Sequence, residues 1–221
     1  MSPALVPLLM IGLFVVVIGL VGWAAARQTK LASENFRRMA ETLGLEFTAK
    51  PPALGLFYTE ATATGQRRGK RMTLFPFSTG SGKSRTHWSA ISAAVPTATS
   101  LTFHLQRQGM ATKVMEMFGA REIQVGDAEF DRTWFIQTNQ PEFFREALLM
   151  PELRDKIGAL VRELGTQARG MEFKLEQNVV RYAEMGSFSS GDCCQRCLRA
   201  ADIVCDLADV AEVAAEQKSS Q

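Results

Sequence analysis

No acidic residue stands between Ala61 and Met115, and no charged residue of either sign precedes Arg27. Histidine occurs only twice, at His87 and His104. Cysteine is confined to Cys193, Cys194, Cys197 and Cys205, within 13 residues. Each scarcity excludes something. Two histidines leave little for imidazole-based metal binding or general-base chemistry. Clustered cysteines do not make the distributed disulfide framework of a small secreted protein, and they suit a reducing compartment. No G-x-S-x-G elbow occurs, so the motif for a serine hydrolase is missing. Cys194-x-x-Cys197 has no second C-x-x-C, whereas a structural zinc site usually takes two spaced ligand pairs. Nor does it open a helix of a βαβ unit, the setting of a thioredoxin-type dithiol.

A phosphate-binding loop is suggested and then fails. Ser78 to Ser84 reads S-T-G-S-G-K-S, which ends like G-x-x-x-x-G-K-[ST]. The first glycine of that pattern falls on Phe77. The motif also needs a helix N-terminus after it to face the phosphates. Here Ser89, Ile91, Ala93 and Val95 alternate as in a strand. The segment is expected to be a hairpin turn built on Thr79, Gly80, Ser81 and Gly82.

What is present begins with a long apolar run. Leu5 to Ala26 gives 22 residues without an ionisable group. A helix of that length spans about 33 Å, enough for a bilayer core. Pro7 sits in the first turn, where its missing N–H costs little, and Trp23 falls where an interfacial aromatic is favoured. Ala24 to Ala26 resembles a signal-peptidase site. The run lacks a basic segment before it, however, and exceeds the usual 7–15 residue signal core, so an uncleaved anchor is expected. Arg27, Lys30, Arg37 and Arg38 follow the span, and the positive-inside rule then puts the remainder in the cytoplasm. The organisation expected is a transmembrane anchor over 1–26, one soluble domain over 27–216 and a disordered tail over 217–221.

The domain reads as α+β: an antiparallel sheet with packed helices and a long C-terminal helix. Helical spacing of Leu31, Phe36, Met39, Ala40 and Leu43 predicts a helix over 31–44. Strands are expected at 45–47, 56–64, 70–77, 88–95, 100–106, 122–125 and 133–137, and as a hairpin 171–175/179–182 about Gln177 and Asn178. Helices are expected at 111–118, from an Asn139 cap to Met150, at 151–164, and from Ser190 to Glu216.

Charge is distributed unevenly. Residues 61–115 carry eight basic groups and no acid, while 116–221 carry twelve basic and nineteen acidic ones. Arg67, Arg68, Lys70, Arg71, Lys83 and Arg85 flank two successive turns. They form the candidate binding set, facing anionic lipid headgroups or a protein partner. The alternative is a solvated hairpin whose acids lie on neighbouring elements. No aromatic-rich strand of the RNA-recognition type accompanies the patch, so nucleic acid is not an expected partner.

Other candidates read as structural. On a helix, Cys194, Cys197, Val204, Cys205, Ala208 and Ala211 make one apolar stripe, and buried cysteine packs as a small hydrophobe. Cys193 is the member expected to be exposed. Asp127, Glu129 and Asp131 suggest a calcium loop, but an EF-hand needs glycine at 132 and glutamate at 138, where Arg132 and Thr138 stand. A turn with Phe130 packed inward is expected instead. No cofactor or metal site is assigned.

Gly126 to Leu153 reads G-D-A-E-F-D-R-T-W-F-I-Q-T-N-Q-P-E-F-F-R-E-A-L-L-M-P-E-L. This stretch resembles bacterial membrane-anchored proteins of unknown function, which carry G/E-D-x-x-F-[DE]-x-x-F-x-V and then a helix ending L-[LT]-x-P-x-[LF]. Gly126, Asp127, Phe130, Asp131, Leu148, Leu149, Pro151 and Leu153 match, and Trp134 replaces a phenylalanine. The resemblance implies a fold and a bacterial inner-membrane setting, with no catalytic residue to transfer. The expectation is a single-pass, membrane-anchored cytoplasmic binding domain. The alternatives are a membrane-tethered enzyme, with His87, His104 and Asp127 as candidates, and a thiol sensor using Cys193 or Cys194.

Overall fold

The computed structural model describes residues 5–48, 61–108, 122–164 and 169–219. Helix α1 (Leu5–Leu43) is continuous over 39 residues. The apolar run and the amphipathic segment at 31–44 are therefore one helix, since nothing between them breaks it: Arg27 to Lys30 contains no glycine or proline. Leu13, Phe14, Val16, Ile18, Leu20 and Val21 point outward on every side. Further along, Phe36, Met39, Ala40 and Leu43 are buried. Gly44, at φ 67, ends the helix, and Leu45 N donates to Ala40 O.

Eight strands make one antiparallel sheet: β1 (Glu46–Thr48), β2 (Thr62–Arg67), β3 (Lys70–Thr79), β4 (Thr86–Ala94), β5 (Phe103–Arg107), β6 (Trp134–Thr138), β7 (Arg169–Glu176) and β8 (Val179–Met185). Their spatial order is β1-β2-β3-β4-β8-β7-β5-β6. Two hairpins close on two-residue turns. Arg68 and Gly69 have φ of 52 and 76, and Gln177 and Asn178 have φ of 52 and 59. Left-handed pairs of this kind match the twist of the flanking strands.

One face of the sheet is covered by α5 (Gly191–Ser219), which packs on β4 and β8 and against α1 and α4 (Pro151–Leu164). Cys197, Ala201, Val204, Cys205, Ala208 and Ala211 are fully buried along it. Small side chains let the helix lie close to the sheet, where Met72, Leu74, Ile91, Val180 and Tyr182 meet it in a single core. The α+β class and the long terminal helix are as the sequence indicates, and α5 continues over 217–219, three residues of the expected tail.

Several local expectations shift. Residues 122–125 are irregular rather than a strand. Gly126 and Asp127 introduce a short helix, α2 (Ala128–Thr133), whose N-cap is Asp127: its Oδ1 accepts from the N–H groups of Glu129 and Phe130, both at 3.1 Å. Asp131 reaches back, its carboxylate accepting from Val125 N at 2.8 Å and Gly126 N at 2.9 Å. The two acids thus satisfy four backbone donors of one turn. Phe130 packs inward as expected. Asn139 does not cap α3 (Pro141–Leu149). It ties β6 to the chain before β5, accepting from Thr102 N at 2.8 Å and donating to Ser100 O at 2.7 Å. The strand start at 56–60 and the helix at 111–118 lie outside the described residues.

Candidate functional surface

The basic residues that stand together in sequence are separated by the sheet. In an antiparallel meander, successive turns lie at opposite ends of the shared strand. Strand β3 runs from Lys70 to Thr79, about 30 Å. Arg67, Arg68 and Lys70 are therefore at one end, and Lys83 and Arg85 at the other. The sequence places these two turns side by side, and the pleated strand sets them apart.

At the first end, α5 supplies the acids missing from 61–115. Arg67 Nη2 lies 2.9 Å from Asp202 Oδ1. Arg68 Nη1 reaches Asp206 at 2.5 Å and its Nη2 reaches Asp209 at 2.8 Å. Lys70 Nζ sits 2.8 Å from both Asp209 and Glu212. Asp202, Asp206 and Asp209 recur at i, i+4 and i+7, so they share one side of the helix. Lys156 of α4 also meets Asp206, at 2.7 Å. The hydrogen bond to Asp206 is the leading cause that raises the Arg68 pKa. Burial opposes the charge on Lys70, but Asp209 and Glu212 outweigh it and raise its pKa. This half of the candidate set holds a helix to a hairpin.

Arg71 points to the opposite face of β3 and is exposed, as are Lys83 and Arg85 in the second turn. Among the described residues, no ion pair is made by these three. The turn is the hairpin expected from the sequence. Gly82–Ser84 forms a single 3-10 turn, with Ser84 N donating to Ser81 O at 3.2 Å, and β4 follows where a phosphate loop would need a helix. Gly80 has φ 77, and a Cβ there would lie 2.5 Å from Ser84 O, so glycine is required.

The enzyme candidates do not converge. His87 Nδ1 lies 2.9 Å from Ser78 Oγ on the exposed surface. His104 Nε2 lies 3.0 Å from Glu172 Oε2. Strands β8 and β7 stand between β4 and β5, which separates the two histidines by about 14 Å or more. Asp127 is occupied as a cap. Glu172 also pairs with Arg181, whose guanidinium sits 5.2 Å over the Phe77 ring. Burial opposes the Glu172 charge, while the hydrogen bond from His104 and the charges of His104 and Arg181 outweigh it and lower its pKa.

A buried group that sequence reasoning missed joins β8 to α5. Glu184 is fully buried, and its Oε2 accepts from Arg196 Nε at 2.6 Å and Tyr182 Oη at 2.9 Å. Donor atoms of Glu184, Cys193 and Cys197 lie within 4.8 Å of one another, so among the described residues these are the ones grouped closely enough to hold a metal ion. Arg196 already balances the carboxylate, and the Cys197 thiol is pushed up by its hydrogen bond with Cys193 and by burial; the neighbouring Cys194 is pushed up to about 12, mainly by burial. Cys193 is buried, contrary to the exposure expected of it, as are the other three cysteines. A thiol sensor needs an accessible thiolate, and no cysteine offers one. Neither Glu184 nor Arg196 carried a sequence signal, because each sits in an otherwise ordinary strand or helix pattern.

The fold and this surface define an α+β domain carried on a helix long and apolar enough to cross a membrane. No family model matches the chain, and no curated protein matches it. Among solved structures, the chain is similar to the mycobacterial trehalose monomycolate transport factor A, TtfA, at 12% identity and a TM-score of 0.44, over 81% of this chain and 93% of that one.

Proposed function

We propose that the chain is a single-pass, membrane-anchored protein of the bacterial inner membrane. Residues 5–26 cross the bilayer, and residues 27–216 form a cytoplasmic domain that binds rather than catalyses. The observation that carries this reading is α1. Its apolar window is wholly unburied within the protein and its large side chains face every direction. A helix apolar all round, with no partner among the described residues of its chain, is stable in lipid and not in water. Arg27 lies 5.5 Å over the Trp23 ring, which pairs an interfacial aromatic with the first cation beyond the run. The cytoplasmic side follows from Arg27, Lys30, Arg37 and Arg38 after the span. Binding is favoured because His87, His104 and Asp127 are engaged separately. Membership of the group that the Gly126–Leu153 stretch resembles is part of the same proposal. Paired C-terminal fusions test the orientation. Green fluorescent protein is expected to fluoresce and alkaline phosphatase to be inactive, and an active phosphatase overturns the cytoplasmic reading.

A further inference from the structure

We infer that the β3–β4 turn, through Lys83 and Arg85, is the part of the domain that rests on anionic lipid headgroups, and that the Arg67–Lys70 turn faces away from the bilayer. The inference rests on the membrane-anchored reading and adds which end of the domain is membrane-proximal.

The geometry comes from where α1 docks. Phe36 packs edge-on against Phe188, ring centroids 5.1 Å apart, and Asn35 Nδ2 donates to Phe188 O at 2.8 Å. Phe188 follows β8, whose Met185 pairs with Trp88, and Gly186 N donates to His87 O at 3.0 Å. The helix therefore enters the domain beside the end of the sheet where β3 turns into β4. Further on, Leu45 packs onto Gly65, where a Cβ would lie 2.9 Å from Leu45 Cδ2. Gly65 pairs with Met72, toward the Arg68–Gly69 turn. Chain direction along α1 thus runs from the Lys83 end toward the Arg68 end.

Because α1 is unbroken, its apolar run leaves from the Lys83 end. From Phe36 back to Arg27 the helix rises about 14 Å. From His87 to Lys83 the chain extends about 10 Å, two extended steps followed by the 3-10 turn. The turn reaches toward the level of Arg27 and Lys30, where the apolar run gives way to charge. There it carries two exposed cations without an acidic partner among the described residues. At the far end, Arg67, Arg68 and Lys70 are already matched by Asp202, Asp206, Asp209 and Glu212, which leaves Arg71 alone on the other face of β3. Anionic headgroups complement the two unmatched cations of the first end better than the single one of the second.

The test uses the full chain in vesicles, with a fluorophore on Ser81→Cys at the turn or on Gln66→Cys at the far end. The native cysteines are buried, so labelling is selective. Vesicles carry headgroup-attached quencher and either neutral lipid alone or about one-third phosphatidylserine. The Ser81→Cys label is expected to be quenched in anionic vesicles, with little quenching in neutral ones, and the Gln66→Cys label in neither. Adding K83E and R85E should return the turn to the neutral-vesicle level. Two cations at the surface correspond to about a 30-fold shift in the docked population. Equal quenching at both positions, or quenching indifferent to lipid charge and to K83E/R85E, overturns the inference. Flotation of the same samples separates the causes. Protein that floats with vesicles yet leaves the turn unquenched sinks this inference alone and points to a protein partner for Lys83 and Arg85. Protein that does not float sinks the anchored reading and the inference with it.

Discussion

Lys70 Nζ stands 2.8 Å from Asp209 Oδ1 and 2.8 Å from Glu212 Oε2, so a buried cation on a hairpin is held by two acids from a helix about 140 residues later. The pair joins the most basic part of the chain to the most acidic. K70A should destabilise the protein by about 1–3 kcal/mol, less than a fully buried pair because Asp209 is half exposed. R71A, on the other face, should change stability by less than about 0.5 kcal/mol. Chemical denaturation of the detergent-solubilised chain measures both.

Arg196 and Glu184 should behave as one unit. R196A leaves a fully buried carboxylate without its cation and should cost about 3–5 kcal/mol. The double replacement E184L/R196M removes both charges and should recover most of that loss. A double-mutant cycle by denaturation gives the coupling, and additive losses would contradict it.

Asp127 should matter as a cap. D127A removes the acceptor for two N–H groups and should lower stability by about 1 kcal/mol, with D127N retaining most of it. The effect is read from thermal midpoints.

Acid stability should depend on Glu172. Its folded pKa is lowered, so its contribution is present above the unfolded value of about 4.3 and is lost as pH falls through the folded value. E172Q should flatten the stability-versus-pH curve below about pH 4.5. Denaturation midpoints across pH 3–7 measure this.

The cysteines should react only through unfolding. Iodoacetamide at pH 8 should label the native protein at least about 100-fold more slowly than the denatured one, since all four thiols are buried and Cys194 is held near 12. Stoichiometric native labelling, read by mass spectrometry, would return a thiol function to consideration.

The parts legible in sequence were those governed by local rules. Helical spacing fixed α4, alternation found β4, and Asn178, a residue that tolerates positive φ, marked its hairpin. The apolar run was equally plain. What escaped depended on distant contacts. Asp127 looked like part of a turn, because a one-and-a-half-turn helix has too few residues for a period. The basic patch looked contiguous because sequence order places Arg71 and Lys83 near each other. Strand pairing then put their turns at opposite ends, and the neutralising acids came from α5. Glu184 and Arg196 gave no warning, because a buried ion pair shows only when the strand and helix that carry it meet.

The central claim is that residues 5–26 of this chain reside in a bilayer. An alkaline carbonate wash of membranes from cells expressing the full chain, beside a version beginning at Arg27, tests it most directly. The account predicts that the full chain stays in the pellet with residues 1–26 still attached, and that the shorter chain moves to the supernatant. Release of the full chain by carbonate, or a membrane-free protein whose N-terminus follows Ala26, would contradict it.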